Sequence, residues 1–254
     1  MLILSLRRRL DAPPDEPAVV GAAGGATSAA VDPGDAVAEP DELHGWRELA
    51  EGSLRLWRDP LVRFGLSLEL VASIAGAWIL VNSVVLVKAG LGGDDLAYGW
   101  VMAAFGAGAT LAALALGALE SRVARLTFLG LGALGISLAV LPANVVGLAP
   151  LGLLWAVAGV GTNWVNLPMI TLLAERTPHR WQGRVYGAHF AWSHLWWLAA
   201  YPIAGTLGSR FPESSFAIGG VLSLAVLALV WVFGWPSARR AAADPAPLNE
   251  RSGA

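Results

Sequence analysis

Apolar residues along this chain do not alternate with polar ones; they come in long runs broken by short charged or Gly/Pro-rich turns. Six runs, at residues 64–87, 97–119, 126–141, 148–174, 182–207 and 216–235, approach the ~20 residues a helix needs to cross a bilayer. The third is short and can extend through Val146. None shows the period-two alternation of a membrane β-barrel. The pattern predicts an all-α membrane protein, with six transmembrane helices occupying residues 63–236.

The flanks read differently. Residues 1–10 hold a short apolar scrap followed by Arg7, Arg8 and Arg9. A secretory signal has the opposite order, so the segment reads as the end of a preceding membrane helix with its basic flank. Residues 11–62 form a linker: five prolines between Pro13 and Pro40 and a Gly/Ala run leave no periodic apolar face. At 45–59 the pattern turns helical and amphipathic. Trp46, Leu49, Leu54 and Trp57 suit a membrane surface, with Arg47, Arg55 and Arg58 toward headgroups. A solvated helix cap is the alternative. Residues 237–254 form a polar tail expected to be disordered.

Composition agrees with a membrane class. The 254 residues are 56% hydrophobic and 14% charged with mean hydropathy +0.58, where a soluble domain carries about 25% charge. There is no cysteine, which excludes disulfides, thiolate catalysis and cysteine-bound metals. No basic patch points to nucleic acid. Placing both ends on one side gathers Arg47, Arg55, Arg58, Arg63, Arg122, Arg125, Arg176, Arg180, Arg184, Arg239 and Arg240 there, against Lys88 and Arg210 opposite. This asymmetry predicts a multi-pass protein of the inner (plasma) membrane with both termini cytoplasmic.

Polar residues inside the runs are the candidate chemistry, because they are costly to insert. Glu69 lies about 7 Å into the first run, at 1.5 Å per residue. It reads either as a proton- or cation-coupling group or as a rim carboxylate paired with an arginine such as Arg63. On its stripe lie Ser73, Gly76, Leu80 and Ser83, with Asn82 to one side. In the second run Gly99, Ala103, Gly106, Thr110, Ala113 and Gly117 predict a close-packing face. The fourth run carries Asn163 and Asn166, for interhelical hydrogen bonds or cavity lining, and Pro168 as an expected kink. The fifth carries His189 and His194 among Phe190, Trp192, Trp196 and Trp197. Five positions apart, the histidines sit about 140° around the helix from each other and cannot chelate one ion. His194 reads as a metal ligand, with Glu69 as a second candidate ligand, or as a proton relay. The alternative is a hydrogen bond to the Asn163/Asn166 helix. No Ser/His/Asp set, zinc signature or paired-carboxylate site marks an enzyme, and no cofactor is expected.

Several motifs carry a family resemblance. They are Arg55-Leu56-Trp57-Arg58-Asp59-Pro60-Leu61, Ala97-Tyr98-Gly99 with Ala103-Ala104-Phe105-Gly106-Ala107-Gly108, and Thr177-Pro178 followed by Gly183-Arg184-Val185-Tyr186-Gly187. Over about residues 48–235 the chain resembles the second half of a major facilitator superfamily (MFS) transporter, in the efflux branch that includes macrolide and siderophore exporters. Glu69, Val81-Asn82, Lys88, Ala188-His189-Phe190 and Ser193-His194 are also similar to nickel-resistance permeases of that superfamily. The resemblance implies one six-helix half, itself a 3+3 inverted repeat, of a twelve-helix fold whose substrate site lies between two halves. It implies proton-coupled export of a small molecule or a divalent metal such as nickel. Arg122, Arg125, Arg176, Arg180 and Arg184 would then be cytoplasmic gate contacts. The expected partners are membrane lipid and either a missing N-terminal six-helix half or a second copy of the chain. A non-transporting accessory or truncated remnant is the other reading.

Overall fold

A computed structural model describes residues 42–243. The basic flank at 1–10, most of the linker and the tail beyond Ala243 lie outside the described residues. Among the described residues seven α-helices follow one another: α1 (Glu42–Arg58), α2 (Pro60–Val85), α3 (Asp95–Leu119), α4 (Arg125–Val140), α5 (Leu148–Arg176), α6 (Gln182–Arg210) and α7 (Ser215–Ala243). There is no strand among the described residues. Helices α2 to α7 coincide with the six apolar runs. The last continues beyond Trp235, through Pro236, into the stretch read as tail.

The ends of the helices follow from local chemistry. Asp59 caps α2, its Oδ1 accepting from the Leu61 and Val62 amides at 2.8 and 3.1 Å, and Pro60 supplies a preset φ at the first helical position. At its far end α2 widens into a π-helical turn, Leu86–Gly90. Gly92, at φ +66°, turns the chain, and Asp94 caps α3 through the Ala97 amide. Pro168 lies inside α5 and Pro202 inside α6, and both helices run on through them.

Helix α2 is the axis of the bundle: α4, α5, α6 and α7 all pack on it. Two apolar layers surround it. One, near the arginine-rich end, contains Phe64, Leu68, Leu129, Met169 and Leu173. The other contains Trp78, Ile136, Val140, Trp155 and Phe216. Trp155 is fully buried, and its indole N–H donates to the Ser83 hydroxyl at 3.0 Å, tying α5 to α2. At the opposite end Asn144 joins two loops. Its amide donates to the Pro212 carbonyl, and its oxygen accepts from the Phe216 amide at the start of α7.

Three expectations change. Five helices, α2 to α5 and α7, are long and apolar enough to cross a membrane. Helix α6 matches α5 and α7 in length, but its histidines, Ser193 and aromatic rings lower its hydropathy; like α4, α5 and α7 it packs along α2. The expected small-residue stripe of α3 is not its packing face. Gly99, Gly106 and Gly117 are exposed with nothing near their Cα, while Val101, Gly108, Ala112 and Leu116 are buried. A Cβ on Gly108 would strike the Ala156 carbonyl of α5, and one on Gly159 the Phe105 carbonyl of α3. Both faces of α3 are small, so periodicity alone does not choose between them. Finally, the apolar residues of α1 do not share one surface. Leu56 is buried and Leu49 and Trp57 pack against the bundle, whereas Trp46 and Leu54 are exposed.

Candidate functional site

Three buried polar residues of α2, Glu69, Asn82 and Ser83, meet partners from other helices. Gly76 leaves room for the edge of Trp197, since a Cβ there would come within 2.6 Å of that ring. Ser83 holds Trp155, and the Asn82 amide donates to the Ala204 carbonyl of α6 at 3.1 Å. Glu69 meets His189. The His189 Nε2 lies 3.0 Å from each oxygen of the Glu69 carboxylate, and both side chains are nearly buried, 12% and 6% exposed respectively. The geometry needs one hydrogen between nitrogen and oxygen. With the carboxylate ionised, Nε2–H donates; with the acid protonated, its O–H donates to the bare ring nitrogen. A proton can therefore be held on either member without breaking the contact.

This is not the partner expected for Glu69. Arg63 points elsewhere, donating to the Trp57 carbonyl at 3.2 Å. Nor do Glu69 and His194 form a metal pair. His194 is exposed on the other side of α6, where its Nδ1 lies 2.8 Å from the Phe190 carbonyl and its ring lies 3.8 Å, centroid to centroid, from the Phe190 ring. The 140° between the two histidines forces this separation: one faces α2, so the other faces away. Among the described residues no group of three His, Asp or Glu side chains converges to hold a metal ion. His194 makes no bond to the asparagine helix either. Asn163 donates instead to the Ala109 carbonyl of α3 at 2.6 Å, and Asn166 is half-buried in α5.

At the arginine-rich end three latches tie the helices together. Arg125 bridges Glu120 in the turn before it and Glu175 near the end of α5. Arg176 donates to the Ala241 carbonyl of α7 at 2.8 Å and lies 3.6 Å from the capping Asp59 of α2. Arg184, in the first turn of α6, reaches Glu48 and Glu51 of α1, each at 3.0 Å. Trp181 completes this last contact: Arg55 lies over its ring at 3.8 Å and Arg184 at 5.0 Å. Arg55 is held below the usual arginine range, first by burial and then by the positive charges of Arg180 and Arg58. Arg122 is exposed in the turn before α4.

The docking of α1 escaped the sequence reading. Gly52 lies directly against the Arg184 carbonyl, and Trp192 donates to the Ser53 hydroxyl at 3.1 Å. Its signal was present as adjacent small residues between Glu48/Glu51 and Arg55. The family model of the Major Facilitator Superfamily matches residues 66–251, which is most of the chain and runs from within α2 through α7. No curated protein and no solved structure matches it. The all-helical bundle around α2, with its latched basic end, and the match along that bundle place the chain in the Major Facilitator Superfamily, a family of secondary transporters.

Proposed function

We propose that the chain forms one lobe of a proton-coupled exporter in the plasma membrane, with both termini on the cytoplasmic side, and that Glu69 and His189 carry the proton. The observation that carries this reading is the buried hydrogen-bonded pair joining α2 to α6. A carboxylate and an imidazole sharing a proton inside apolar surroundings suit loading and release as the lobe rocks. The arginine latches at the basic end are the contacts that break and reform when that end opens.

The opposing surface is a second six-helix lobe, either a separate half or another copy of this chain. Support comes from the exposed face of α6, where His194 stands among Phe190, Leu198 and Tyr201. An imidazole facing hydrocarbon is unfavourable by a few kcal/mol, so this face suits a water-filled cavity between lobes better than lipid. On this reading His194 contacts substrate rather than protons. A small organic molecule fits this aromatic surface better than a divalent metal, since the buried pair offers two ligating groups where a stable metal site uses more.

The test is transport into inverted vesicles containing the chain and its complementary lobe. Glu69→Gln and His189→Gln are expected to abolish substrate uptake driven by a pH gradient while leaving the helical fold intact. His194→Ala is expected to raise KM and spare the coupling. Full pH-driven uptake by Glu69→Gln would remove the pair from the mechanism.

A further inference from the structure

An open apolar groove of about 660 Å³ runs between α4 and α7. Leu126, Leu131 and Leu134 line one wall and Leu224, Trp231 and Trp235 the other. The two indoles stack at 4.7 Å with their planes 9° apart, and the edge of Trp231 rests on Gly130, where a Cβ would come within 2.9 Å of the ring. The groove therefore has a flat aromatic wall, seated on α4 where Gly130 lacks a side chain.

Two exposed arginines lie just beyond the groove-lining residues at the arginine-rich end, one on each helix's flank. Arg239 follows Trp235 by four residues and so lies about 40° from it around α7, on the groove's own face. Arg240 lies about 140° from Trp235, off that face. Arg122 stands in the turn leading into α4, four residues before the groove-lining Leu126. Arg125 is occupied by Glu120 and Glu175, whereas Arg122 and Arg239 are exposed and have no carboxylate partner among the described residues. The bond from Arg176 to the Ala241 carbonyl fixes the end of α7, and with it the place of Arg239.

We propose that this groove binds one anionic glycerophospholipid, an acyl chain lying along the Trp231/Trp235 wall and the phosphate held between Arg239 and Arg122. The apolar walls select a hydrocarbon chain; the two arginines select the head. A basic residue near an anionic headgroup contributes about 1 kcal/mol, or roughly fivefold in affinity.

Native mass spectrometry of the detergent-purified full chain, titrated with palmitoyl-oleoyl phosphatidylglycerol or the tail-matched phosphatidylcholine, tests this. Phosphatidylglycerol is expected to be retained at about 25-fold lower concentration than phosphatidylcholine, about fivefold from each of the two arginines. Arg239→Gln should lower that preference about fivefold and Arg122→Gln should also lower it, while Arg240→Gln should leave it unchanged. Leu131→Trp, which fills the groove, should lower retention of both lipids. Circular dichroism of each variant guards against misfolding. Equal retention of the two lipids, or equal effects of Arg239→Gln and Arg240→Gln, would overturn the site. So would a cysteine at position 131 that cross-links in membranes to a second polypeptide, because a protein helix would then fill the groove.

Discussion

At the scale of single residues, the central fact is which groups found partners inside the bundle. Glu69 and His189 did, across two helices, with one ring nitrogen 3.0 Å from both carboxylate oxygens. Removing one member of a buried hydrogen-bonded pair leaves the other unsatisfied and costs about 1–3 kcal/mol, while removing both is milder. Glu69→Gln and His189→Leu are therefore each expected to lower the denaturation temperature in detergent. The double variant should recover part of the loss, with a coupling of about 0.5–3 kcal/mol. A thermal-shift double-mutant cycle measures this, and strict additivity would mean that the contact carries no energy. Asn82 and Asn163 fall in a different category: each donates to a backbone carbonyl on a neighbouring helix, and so each works as packing glue.

At the scale of elements, close approach of backbones decides which faces meet. Helices α3 and α5 cross where Gly108 sits against the Ala156 carbonyl and Gly159 against the Phe105 carbonyl. Gly106, only two positions away, has open space where a Cβ would stand. Gly108→Val is accordingly expected to destabilise by about 1–3 kcal/mol through forced separation of the helices, or more if they cannot part. Gly106→Val should leave thermal unfolding unchanged. Equal effects would mean that α3 is rotated from the arrangement described here. Helix α1 teaches the same point. It is amphipathic by pattern, yet Gly52 and Ser53 seat it on α6, and Arg184 then closes the contact through Glu48 and Glu51.

At the scale of the whole molecule, α2 is enclosed by its neighbours, whereas α3 and the outer face of α6 are left open. The absence of cysteine allows single reporters to be introduced without background. Leu198→Cys, on the open face of α6, is expected to cross-link in membranes to the opposing lobe, and to itself between copies if that lobe is a second chain. Labelling by a lipid-soluble maleimide without any protein cross-link would instead put this face in the bilayer.

Runs of apolar residues of bilayer length determined by themselves that the chain is a bundle of membrane helices, and most of their ends to within a few residues, though not the far end of α7, because hydrocarbon leaves backbone amides no other way to be satisfied. The same runs marked Glu69, His189 and His194 as costly and therefore informative. Pairing was beyond their reach. Every helix here from α2 to α7 is apolar nearly all round, so no stripe announces its inner side. Only the packed structure decided that Glu69 meets His189 rather than Arg63, that His194 faces away, and that Gly108 rather than Gly106 lies at a crossing. The reason is that these choices turn on steric fit between helices far apart in the chain, and hydrophobic periodicity records nothing of that fit.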